Sequence, residues 1–196
     1  MGQSVSLVAV KAMTPQAVQN ALTLRGTGTR EQAVPESDIT GTVLPGGWYL
    51  VVSQRDGLRL TEDATLNRLS GKAEVVMCFV EEHVMYSFAA CWRDGQRIWS
   101  VQHDSEDGIE SLMVKGQLPD SFTQISDKLF AEQAAAGGKK AKVDCIFAIP
   151  VEFAQSLTGY RYDEDLNEMC KDGFEVLVGT GPATDERPWW KRLFGA

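Results

Sequence analysis

The sequence predicts an α+β protein: a single domain with a mixed, mainly antiparallel sheet, a central β-meander and helices packed mostly on one face. Three observations carry this. Residues 73–102 hold three successive strand-like runs, "AEVVMCFV", "VMYSFAACW" and "QRIWSVQ", with no helical pattern between them. Asp94-Gly95, between the last two, is a two-residue turn pair that closes tight β-hairpins. On both sides of this meander, strands alternate with helical patterns, whereas a doubly wound nucleotide-binding sheet would repeat βαβ units throughout.

The elements follow in order. Residues 4–12 alternate Val5, Leu7 and Ala9 with smaller or polar residues and predict a first strand. Thr14 and Pro15 then open a helix at its N-cap and first position, with Gly26 as its expected stop. Residues 26–47, rich in glycine and carrying Pro35 and Pro45, predict a long loop. The Gly26-x-Gly28 pair follows a helix rather than a strand, so it is no phosphate-binding signal. A strand is expected over 48–54. A short helix is expected over 60–71, capped by Thr61 and ended by Gly71. After the meander, Phe122, Ile125, Leu129 and Phe130 give residues 120–138 an apolar helical stripe. Residues 141–150 ("AKVDCIFAIP") predict a buried strand, 150–159 a short helix begun by Pro150, and 172–178 a last strand. One domain is expected over 1–180, followed by a flexible connector and tail over 181–196.

Composition narrows the function classes. Apolar residues make up 43% of the chain, enough for a packed core. The net charge of −8 disfavours binding to a phosphate backbone, so no nucleic-acid partner is expected. No apolar run approaches the roughly 20 residues of a membrane-spanning helix. The first residues lack the basic segment and apolar run of a signal peptide. A cytoplasmic, bacterial-type protein with no membrane partner is the resulting expectation. Cys78, Cys91, Cys145 and Cys170 form no CxxC pair, and the first three sit in apolar runs, as reduced buried thiols do.

Both histidines lie near the hairpin. With regular pairing about Asp94-Gly95, one face sets Tyr86 opposite His103, Phe88 opposite Val101, Ala90 opposite Trp99 and Trp92 opposite Arg97. The other sets Met85 opposite Asp104, Ser87 opposite Gln102, Ala89 opposite Ser100 and Cys91 opposite Ile98. The first, aromatic face should bury under helices or, if exposed, bind something. The second is small and polar and reads as the wetter one. His83 falls in the preceding turn, roughly 10 Å or less from His103 by strand spacing. His83, His103, Asp104 and Glu81 are therefore the candidate catalytic residues, as a general acid–base or metal-assisted group. No HxH or HExxH spacing fixes ligands, so no metal and no cofactor are expected, and GxSxG and GxxxxGK[ST] are absent.

The segment "PWWKRLFGA" (188–196) places Trp189, Trp190, Lys191, Arg192, Leu193 and Phe194 together in an acidic chain. Such a segment either completes the protein's own core or docks on a protein partner or a second copy of the chain. The leading expectation is thus a non-enzymatic binding protein, an adaptor, regulator or immunity-type inhibitor acting through protein–protein contacts. A hydrolase or metal-dependent enzyme at the two-histidine rim is the first alternative. A structural subunit of a homo-oligomer is the second.

Overall fold

A computed structural model describes residues 2–32, 35–54, 58–164 and 172–180. In chain order the elements are β1 (Ser4–Lys11), α1 (Pro15–Ala21), β2 (Leu24–Glu31), β3 (Ile39–Leu44), β4 (Trp48–Ser53), α2 (Leu58–Thr61), α3 (Asp63–Ser70), β5 (Glu74–Glu81), β6 (Tyr86–Arg93), β7 (Gln96–Asp104), β8 (Met113–Gly116), α4 (Ser121–Ala135), α5 (Ala148–Thr158) and β9 (Phe174–Gly179). The strands join one sheet in the order β2-β9-β3-β4-β1-β5-β6-β7-β8. The α+β class and the central β5-β6-β7 meander are as expected. Every neighbouring pair is antiparallel. The parallel component implied by helical connections is missing for a topological reason. The strands joined by helices are not neighbours: β1 lies between β4 and β5.

Both faces of the sheet are buried over its central strands. The odd positions of β1 (Val5, Leu7, Ala9) pack with Val76, Cys78, Ala89, Cys91, Trp99 and Val101 against α4 and α5. The even positions Val8 and Val10 pack with Tyr49, Val51, Val75, Met77, Ala90 and Trp92 against α1, α2 and α3. The expected bias of helices to one face holds by length: the two longest, α4 and α5, share a side, and three short ones take the other. Strands apolar at successive positions, such as β4, are what a sheet covered twice requires.

Local signals place several elements. Thr14 Oγ1 accepts from the Ala17 N–H at 3.3 Å and Pro15 occupies the first turn of α1. Asp94 and Gly95 adopt φ of 52° and 75°, the left-handed pair that a type I′ turn needs.

Four expectations are corrected. Residues 26–47 are not a loop: they contain most of β2 and all of β3. Gly41 and Gly26 serve close packing, since a Cβ on Gly41 would run into the Tyr49 ring and one on Gly26 into the Glu175 carboxylate. The helix expected from residue 60 is two pieces, with Glu62 rather than Thr61 at the N-cap of α3. Residues 141–147 are not a strand, and α5 starts at Ala148, two residues before Pro150. A short buried apolar run reads alike as strand or helix, and Pro150 in the first turn has no N–H that the helix would use. The edge strand β8, four exposed residues, carries no apolar alternation and was not expected.

Candidate functional site

The hairpin is regular for two pairs and then slips. Arg93 pairs with Gln96 and Trp92 with Arg97, but Cys91 pairs with Trp99. Ile98 is the extra residue of a β-bulge and stands 38% exposed. From there on, Ser87 opposes His103 and Tyr86 opposes Asp104. This corrects the regular register, and it inverts the reading of the faces. His103 joins Ser87, Ala89, Cys91, Trp99 and Val101 under α5. The small residues of β6 are what let that helix lie close. The face expected to be the wetter is the deeper one.

His103 has 0% exposure and both ring nitrogens are engaged. Nδ1 lies 2.7 Å from the Ser111 carbonyl oxygen and Nε2 lies 2.9 Å from Asp144 Oδ2. Both partners are acceptors when Asp144 is ionised, so the ring must donate twice, which is the imidazolium form. Burial works against that charge, but the hydrogen bonds to Asp144 and Ser111 and the nearby Asp104 carboxylate outweigh it. The imidazole pKa is raised above its ordinary value. Asp144 is itself nearly buried, and its Oδ1 accepts from the Phe147 N–H at 3.1 Å, capping the turn that leads into α5. Beside it, Gln133 (0% exposed) donates to the Gly138 and Val143 carbonyls and accepts from the Cys145 N–H. Ser87 Oγ donates to the Phe147 carbonyl. The network ties the α4–α5 connection to the sheet.

The other candidates belong to separate sets. His83 sits in the β5–β6 turn with a side chain 60% exposed. Glu81 Oε1 accepts from its ring Nδ1 at 2.6 Å and from its backbone N–H at 3.1 Å. Partial burial pushes Glu81 up, but the bonds from His83 and Ser4 bring its carboxyl below the ordinary value. Asp104 Oδ1 accepts from the Glu106 N–H and caps a single 3-10 turn, Ser105–Asp107. His83 and His103 therefore have different carboxylate partners, Glu81 and Asp144. As held here, His103 has no free nitrogen for a substrate or a metal. Among the described residues no three His, Cys, Asp or Glu side chains are grouped to hold a metal ion. Burial raises the Cys78 and Cys91 thiols to about 12, far from thiolate reactivity. Trp189, Trp190, Lys191, Arg192, Leu193 and Phe194 lie outside the described residues.

The opposite face of the hairpin ends differently. Along β6, Trp92 and Ala90 are buried beneath α3, whereas Phe88 and Tyr86 are half-buried, so helical cover stops between Ala90 and Phe88. The register sets Ser53, Ser6, Phe79, Phe88, Gln102 and Met113 in one row across six strands. The next row outward is Ser4, Glu81, Tyr86 and Asp104. Phe79 and Tyr86 lie 5.9 Å apart, ring to ring, and Met113 on edge strand β8 is 45% exposed. This end of the sheet is an aromatic surface bordered by carboxylates: Glu81 and Asp104 in the outer row, with Glu106 and Asp107 just beyond. Sequence reasoning singled out Tyr86, Phe88, Glu81 and Asp104 but missed Phe79, Met113 and, on the other face, Asp144. Asp144, three residues before Phe147, carries the spacing of a capping aspartate, and that was its one sequence signal.

Comparison with protein-family models, curated proteins and solved structures finds no match to this chain.

Proposed function

We propose that this is a non-enzymatic binding protein whose docking surface is the open aromatic end of the sheet, Phe79, Tyr86, Phe88, Gln102 and Met113. The observation that carries the proposal is where the helical cover stops. A sheet whose central strands are packed on both faces leaves two aromatic side chains of β6, Tyr86 and Phe88, only partly covered, next to an edge strand with exposed Met113 and Val114. The bordering carboxylates select a partner segment that is apolar and basic. An adaptor, regulator or immunity-type inhibitor acts in this way, through a pre-formed surface and without chemistry.

The test compares wild type with Phe88→Asp and Asp104→Lys as immobilised baits, with circular dichroism reporting the fold. A stoichiometric partner held by wild type and released by both folded variants supports the proposal. A partner held equally by all three sinks it, because binding would then lie elsewhere.

A further inference from the structure

We infer that the docking surface has a resident occupant, the C-terminal segment 188–194 (Pro-Trp-Trp-Lys-Arg-Leu-Phe) of the same chain. The inference rests on the reading of that surface as a docking site. The described chain leaves the sheet at Thr180, whose N–H donates to the Thr23 carbonyl. Following the register, Val176 is level with Thr40, Val52, Leu7, Cys78 and Ala89. Three residues further, Gly179 is therefore level with Ser4, Glu81 and Tyr86. The chain exits at the same end of the sheet as the aromatic surface. Only the width of the sheet remains to be crossed. From β9 to β5 or β6 that is four or five strand spacings, about 19–24 Å. The nine residues from Thr180 to Trp189 reach about 30 Å when extended.

Chemistry matches as well as reach. Trp189, Trp190, Leu193 and Phe194 supply apolar area for Phe79, Tyr86, Phe88 and Met113. Lys191 and Arg192 carry positive charge towards Glu81, Asp104, Glu106 and Asp107, in a chain whose net charge is −8. A partner with the same combination displaces the segment. The tail is then a built-in competitor that sets how strongly a partner must bind.

The protein carries its own probe. Trp48, Trp92 and Trp99 are buried at 5%, 1% and 4% exposure, so quencher-accessible emission in the full chain comes from the remaining two of its five tryptophans, Trp189 and Trp190. Acrylamide quenching of the full-length protein should find emission largely protected, and unchanged on dilution. In Phe88→Asp, and separately in Met113→Glu and Asp104→Lys in case the first fails to fold, the accessible population should rise towards two tryptophans in five. Three results would overturn the inference: free quenching in wild type, protection that persists in every folded variant, or protection lost on dilution, which would assign the occupant to a second copy. A freely quenched tail together with a partner that needs Phe88 would remove the inference and leave the docking surface standing.

Discussion

Replacing Asp144 separates two roles that one carboxylate plays. In Asp144→Ala the buried imidazole loses the acceptor 2.9 Å from Nε2, and the Phe147 N–H loses the cap at 3.1 Å. Removing one partner of a buried pair costs about 3–5 kcal/mol. Losing the cap costs about 1 kcal/mol more. Against a typical total of about 5–15 kcal/mol, this is about a quarter or more of the stability. Asp144→Asn keeps an acceptor for the cap, and its amide N–H can serve a neutral His103 that still donates from Nδ1 to Ser111. That variant loses the charge and little else. The sign of the pH dependence follows from the direction of the His103 shift. A group whose pKa is higher folded than unfolded binds more protons in the native state, so stability falls as pH rises through the window between the two values. That window opens at the unfolded value of about 6.5 and extends upward. Inside it, wild type loses about 1.4 kcal/mol per pH unit from this group. Urea denaturation from pH 5.5 to pH 9 (about one unit below the unfolded value to well above it) should show the Asp144→Asn deficit largest at the acid end and shrinking as pH rises. A deficit that stays constant across that range would refute the assignment of a charged His103.

Two further perturbations test the packing. Gly41→Ala sets a Cβ against the Tyr49 ring, within 2.9 Å of Cζ, and drives the phenol off Gln19 Nε2, now 2.8 Å away; a loss of about 1–3 kcal/mol in thermal or urea unfolding is expected, and an unchanged midpoint would mean the ring has room to move. Deleting Ile98 removes the bulge but leaves Trp99, Val101 and His103 on their present faces, so the variant should fold with a loss within about 3 kcal/mol, the range of an ordinary substitution; failure to fold would show that the added twist of the bulge, not only its register, is required.

Local chemistry was legible because it depends on neighbours in sequence. Thr14-Pro15 began a helix, Asp94-Gly95 turned a hairpin, and the 122–130 stripe turned an apolar side of α4 to the core, each from residues a few positions apart. Non-local pairings were not legible. The Thr- and Gly-rich residues 26–47 form strands because β9, distant in sequence, pairs with both β2 and β3, because β4 folds back on β3 across the turn that sets Leu44 opposite Trp48, and because Tyr49 fills the space over Gly41. Residues 141–150 carry strand-like composition, yet the Asp144 cap and the cover that α5 supplies to β5 and β6 take them into a turn and a helix.

The candidate site divides along the same line. Composition and spacing alone determined that the chain is α+β, that its meander holds both histidines, and that β6 alternates large residues (Tyr86, Phe88, Trp92) with small ones (Ser87, Ala89, Cys91). Which face Trp99, Val101 and His103 take was decided by one extra residue, Ile98, because side-chain direction alternates at every position of a strand and a single bulge reverses everything beyond it. The partner of His103 is Asp144, 41 residues away and outside the sheet, and only the docking of the α4–α5 connection brings the two within 2.9 Å. The open aromatic end, likewise, is set by where α3 stops over β6. That boundary depends on how long a helix is and where it lands, a property of the packed molecule that no local pattern encodes.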